Sequence, residues 1–199
     1  MNFIAKLARE HGVKITYESI SSEDAFVMGR MIFLNPDLYP PRMNWRFCHE
    51  LAHILLGHTK GGTINKEMED EAETKAGELM LPPEEFNHLI DRHDLIELKE
   101  RFPHASWEVI ARRVAEISPA VLTIYDNKKL RSRSAPATLI YPRRLTTQEV
   151  TLAAKCFEMK SNLLDNQNGL EIAGFFVDEI ETVKRVILIT KVNRDEGAY

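Results

Sequence analysis

The segment Phe47-Cys48-His49-Glu50-Leu51-Ala52-His53 constrains this chain more than any other stretch. On an α-helix, residues i and i+4 stand on one face a turn apart, so the two imidazoles can reach a single cation. The flanking residues favour that helix. Trp45, Phe47, Leu51, Ile54 and Leu55 supply an apolar wall, and Gly57 is a natural stop, which predicts a helix from about Met43 to Leu56. Glu50 stands beside the first histidine, where its carboxylate reaches water at the metal without being a ligand. Coordination lowers the pKa of such water to about 7, so a carboxylate base can take its proton at neutral pH. Chance alone gives this five-residue pattern in about one chain of this length in two hundred, so accident is the weaker reading.

A catalytic zinc site normally has three protein ligands and one open position. The longer pattern with Gly three and His six residues after the second ligand is absent, because Leu56 and Thr59 occupy those places. His58 lies five residues after His53, about 140° around an ideal helix, so it is expected to cap the helix rather than join the ligand face. A second helix, predicted over 65–81 and ending at Leu81-Pro82-Pro83, offers Glu67, Glu69, Asp70, Glu71, Glu73 and Glu78. Its apolar stripe, Met68, Ala72, Ala76 and Leu79, is flanked by Glu69 on one side and Glu71 on the other, so periodicity selects neither.

Taken together, HELAHILLGH and EDEAETKAGELMLP resemble the ImmA/IrrE family of metallo-endopeptidases. There a His-Glu-x-x-His helix precedes a helix reading roughly Glu-Ala-x-x-x-Ala-x-Glu-Leu-Leu-Met-Pro. Glu71-Ala72, Ala76 and Glu78-Leu79-Met80-Leu81-Pro82 match it, with Gly77 in place of the usual Ala, Met80-Leu81 in reversed order, and Lys75 for a frequent aromatic residue. The resemblance covers about residues 1–118. It implies zinc, with another divalent ion such as Mn²⁺ open at the same ligands, and it carries the third ligand onto Glu71. It also implies a site-specific endopeptidase that cleaves a helix-turn-helix repressor and so induces stress-response or mobile-element genes. The chain begins almost directly with this region, so the repressor is expected to be a separate protein. A non-catalytic alternative is a zinc-stabilised module that binds a repressor without cutting it, as an antirepressor or toxin–antitoxin partner. The retained Glu50 argues against it, since a structural site needs no base there and usually closes its fourth position with protein ligands.

The rest of the chain supplies context. Its 199 residues, 44% hydrophobic and 28% charged, suit one principal domain with a smaller second one. No apolar run is long enough to span a bilayer, and the N-terminus turns charged within six residues, unlike a secretory signal. Cys48 and Cys156 are too few and too far apart for a disulfide framework, so a reduced cytoplasmic location is expected, with Cys48 a core residue. The net charge of −4 argues against a generally nucleic-acid-binding chain.

Predicted elements run as a helix over 2–11, extended stretches at 13–17 and 26–34, the two metal helices, short helical pieces over 84–101, and a helix over 106–117. Texture changes at Ser118-Pro119. Strands are predicted at 121–125, 137–141, 170–180 and 185–192, with a helix over 147–163. Domains are therefore placed at 1–118 and 119–199: an α+β, zincin-like metallopeptidase domain with a small antiparallel sheet, then a compact α/β extension for regulation or substrate docking. Lys128, Lys129, Arg131, Arg133, Arg143 and Arg144 form an acid-free basic run around Tyr141. It reads as a solvated hairpin or, more sharply, as a surface for single-stranded nucleic acid or an acidic partner. An oxyanion donor is sought among Tyr17, Tyr39, Tyr125, Tyr141, His88, His93 and His104, and spacing does not choose among them.

Overall fold

The computed structural model describes residues 2–19, 24–58, 63–90, 92, 94–167, 169–180 and 182–192. Of the polar turn read at Ser21-Ser22-Glu23-Asp24 the first three residues lie outside them, as do Gly61-Gly62, His93 and the tail from Arg194. The chain is α+β and divides into two compact units, 1–106 and 107–199. The sequence boundary near 119 follows texture, whereas the division falls before the helix over Trp107–Ile117.

The first unit opens with α1 (Phe3–His11), capped by the Asn2 side chain on the Ile4 N–H and stopped by Gly12 at φ 62°. Strands β1 (Lys14–Tyr17), β2 (Ala25–Met28) and β3 (Met31–Leu34) form a sheet of order β1-β3-β2. The single extended stretch predicted over 26–34 is thus a hairpin. Gly29, at φ 63°, opens its two-residue turn, a conformation that glycine adopts without a Cβ penalty. The sheet is mixed rather than purely antiparallel, because β1 pairs parallel with β3. Ile32 and Leu34 are fully buried in it.

Helix α2 (Pro40–Leu56) begins at the two prolines expected to break the chain. Proline suits the first turn of a helix, where the N–H groups have no intrahelical partner. Arg42 and Arg46 on its first turns bind Asp24 at 2.6 and 3.0 Å, tying the helix to the start of β2. Its buried residues run from Phe47 to His53. Helix α3 (Lys66–Met80) is capped by Asn65, whose side chain accepts from the Met68 N–H at 2.9 Å. Ala72 and Ala76 are fully buried on α3, and such small side chains let it lie close along α2. Short helices α4 (Pro83–Phe86) and α5 (Leu95–Arg101) complete the unit and bury Phe86, Leu95 and Leu98.

The second unit holds α6 (Trp107–Ile117), β4 (Val121–Asp126), β5 (Lys129–Ser134), α7 (Thr147–Met159), β6 (Leu163–Gln167), β7 (Leu170–Ile180) and β8 (Val183–Val192). The strands form an antiparallel sheet of order β5-β4-β8-β7-β6. Leu152, Ala153, Cys156 and Phe157 of α7 pack with Tyr125, Ile172, Val186 and Leu188 of the sheet as its core. Residues 137–141 are not a strand. They lie between Pro136 and Pro142, and the Leu139 N–H turns back to the Pro136 carbonyl at 3.0 Å. Among the described residues no helix is long and apolar enough to cross a membrane.

Candidate metal centre

His49 and His53 project from consecutive turns of α2, and both are buried, at 7% and 1% exposure. Their Nε2 atoms lie 3.2 Å apart. From α3, Glu69 brings Oε2 to 3.2 Å from His49 Nε2 and Oε1 to 3.7 Å from His53 Nε2. One atom from each of the three residues can be chosen so that all lie within 4.8 Å of one another.

Glu71, carried over by resemblance as the third ligand, sits elsewhere. Its Oε2 is 3.1 Å from Nε2 of His58. The helix geometry explains this placement. The face of α3 that meets α2 is marked by the buried residues Ala72, Ala76 and Met80. Glu69 precedes Ala72 by three residues and shares that face, whereas Glu71 is rotated about 100° from Ala72.

His58 corrects a second expectation. It is buried at 8% exposure, and its Nδ1 lies 3.1 Å from Nδ1 of His53. An ideal-helix angle cannot be carried past Gly57, because the backbone there turns left-handed at φ 79°. The Gly57 N–H bonds to Ile54 O at 3.2 Å and the His58 N–H to His53 O at 3.0 Å. This is the Schellman pattern, which folds the residue after the glycine back toward the residue three positions from the helix end. That pattern was the signal in the sequence that could have placed His58.

The donor set fits a divalent cation. With metal–ligand bonds of about 2.0–2.1 Å, neighbouring ligand atoms of a tetrahedral site stand about 3.3 Å apart, close to the 3.2 Å between the two Nε2 atoms and the 3.2 Å from His49 Nε2 to Glu69 Oε2. Burial is the main cause that holds the pKa values of His49 and His53 below the ordinary histidine range, against the attraction of Glu69. That direction favours the neutral ring, the form that ligates metal. Two nitrogens and one carboxylate are a donor set that catalytic zinc sites use, whereas a closed structural site has four protein ligands. Glu50, at 9% exposure, follows His49 directly on the same helix. His104 is committed elsewhere: its Nε2 lies 2.8 Å from the Met80 carbonyl and its ring stacks on Phe3 at 4.0 Å. Burial pushes the Cys48 thiol far up, as a core residue requires.

The model of the IrrE N-terminal-like domain, Peptidase_M78, matches residues 8–115, more than half of the chain. The chain belongs to this metallopeptidase family. The ImmA/IrrE resemblance of its two helices is thereby borne out, and so is the α+β, zincin-like class. Among solved structures, a Mycobacterium tuberculosis transcriptional regulator superposes with a TM-score of 0.66 at 13% identity, covering 95% of this chain and 68% of that one, a likeness of fold. The metallopeptidase zymogen abylysin of Pyrococcus abyssi is 19% identical, with 52% of this chain and 94% of that one covered. Its TM-score of 0.28 carries no argument. The search of curated proteins found no match.

The basic run is not one free patch. Arg131 binds Glu108 at 2.6 Å and lies 3.7 Å from Asp126. Arg133 is almost wholly buried, binds Glu149 at 2.8 Å and stacks over Tyr141 at 5.6 Å. Lys128, Lys129, Arg143 and Arg144 are exposed.

Proposed function

We propose that this chain is a zinc-dependent endopeptidase in which His49, His53 and Glu69 hold the ion and Glu50 is the catalytic base. The observation that carries the reading is the convergence of the two imidazoles and the Glu69 carboxylate within one ion's reach, beside a nearly buried carboxylate on the same helix turn. Zinc held by these residues would supply Lewis acidity to a peptide carbonyl and to a bound water. Glu50 takes the proton from that water and later delivers it to the leaving amine. The carboxylate of Glu69 and the two neutral imidazoles leave the ion with net positive charge, as a Lewis acid requires.

The substrate in this reading is a helix-turn-helix repressor, and cleavage relieves repression of stress-response or mobile-element genes in the cytoplasm. Residues 119–199 then serve regulation or substrate docking, with Lys128, Lys129, Arg143 and Arg144 as the charges free to meet an acidic partner or single-stranded nucleic acid. Glu50→Gln keeps the side-chain shape and removes the base. Zinc content should match wild type, while cleavage of a repressor encoded beside this gene falls by about 10²–10⁴-fold. Cleavage at the wild-type rate by Glu50→Gln would remove Glu50 from this role. Binding of the repressor without cutting by either protein would favour the non-catalytic module.

A further inference from the structure

We propose that His58 and Glu71 are positioning residues for the metal site. A hydrogen-bonded chain from Glu71 through His58 holds His53 in the tautomer that leaves its Nε2 lone pair toward the cation. The inference rests on the metallopeptidase reading above and adds two residues that this reading does not use.

Gly57 builds the chain. By folding His58 back over the last turn of α2, it sets the His58 ring between His53 and α3, with Nδ1 3.1 Å from His53 Nδ1 and Nε2 3.1 Å from Glu71 Oε2. One arrangement of protons along this chain leaves the His53 Nε2 lone pair for the cation. An ionised carboxylate only accepts, so the His58 Nε2–H donates to Glu71. A His58 ring whose single N–H is on Nε2 has its lone pair on Nδ1. Two facing ring nitrogens bond only if the other bears the proton, so the His53 Nδ1–H donates to His58. Neutral His53 is left with its lone pair on Nε2, which faces His49 Nε2 at 3.2 Å and Glu69 Oε1 at 3.7 Å.

A metal-ligating histidine commonly donates its other ring N–H to an oxygen, which fixes tautomer and ring angle and raises basicity. Here a second imidazole stands between ligand and carboxylate. His49 differs, since its buried Nδ1 has no hydrogen-bond partner among the described residues. The chain therefore orders one of the two imidazoles, and the pair depends on it for a preset geometry. Glu71 is half exposed, so its share is the smaller one.

The test combines zinc affinity with nitrogen NMR of the metal-free full-length protein. In wild type, His53 should show the Nδ1–H tautomer, and one zinc should bind per chain. His58→Phe keeps a ring of similar size but removes both bonds. Zinc affinity should fall by about 10–100-fold, and His53 should lose its single tautomer. His58→Asn retains an acceptor near the position of Nδ1 and should recover part of the affinity. Glu71→Ala, a surface change that leaves the fold intact, should weaken binding several-fold. Wild-type affinity in both His58→Phe and Glu71→Ala, with His53 still Nδ1–H, would overturn the proposal and leave the metallopeptidase reading standing. Absence of zinc binding by wild type itself would overturn both.

Discussion

Glu149 is the residue on which the second unit's polar interior turns. It is fully buried, yet Oε1 meets Arg133 at 2.8 Å and the Thr190 hydroxyl at 2.9 Å, while Oε2 accepts from the Thr146 N–H at 2.8 Å. Burial opposes ionisation most strongly, but the bonds from Arg133, Thr146 and Thr190 together hold its pKa below the ordinary value of 4.5. A carboxylate with a lowered folded pKa contributes stability that is present above the unfolded value and lost as pH falls through the folded one. Thermal unfolding followed by circular dichroism should therefore show a loss of stability below about pH 4.5. Glu149→Gln should flatten that part of the profile. Glu149→Ala strands a nearly buried guanidinium and should cost about 3–5 kcal/mol in denaturant unfolding at neutral pH. An unchanged midpoint would mean the pair is dispensable. The same contact explains why reversing the charge of Arg133 is no test of surface docking, since it would set two carboxylates together in the core.

At the scale of elements, α7 and β7 meet through Gly174. A Cβ there would come within 2.7 Å of Cys156 Sγ and 3.2 Å of Leu188 Cδ2, and Cys156 is fully buried with little room to yield. Gly174→Ala should destabilise the unit by about 1–3 kcal/mol. Adding Cys156→Ala, which removes the nearer obstacle, should restore part of it in a double-mutant cycle, whereas strict additivity would refute the contact. The helices of this protein are readable because their stops are local: Gly12, Gly57 and the Ala72–Ala76 stripe are visible in the sequence. Strands hide for physical reasons. β5 is an edge strand whose exposed Lys129 and Arg131 replace the usual alternation, and charged edges discourage further pairing. β6 is missed because α7 ends at Lys160, left-handed at φ 50° with no glycine to announce it, so the helical pattern reads on into the strand. The turn before β5 falls on Asn127 and Lys128, both at positive φ with no glycine to mark it.

For the whole molecule, chemistry is concentrated where α2 and α3 meet, and its legibility is uneven. His49, Glu50 and His53 are legible because a four-residue spacing within one helix needs no tertiary knowledge. The proposed third donor depends on how a second helix is rotated against the first, which six acidic residues on α3 obscure; the buried alanines mark the face that Glu69 shares. His58 required the backbone reversal at Gly57, a local signal whose consequence is tertiary. The central claim is that one ion is held by His49, His53 and Glu69. The most direct measurement is a crystal structure of the zinc-loaded full chain with anomalous data collected on either side of the zinc edge. The account predicts one strong anomalous peak within about 2.0–2.2 Å of His49 Nε2, His53 Nε2 and a Glu69 oxygen, with Glu71 outside bonding distance. A peak ligated by Glu71 in place of Glu69, or no peak at the histidine pair at full zinc loading, would contradict it.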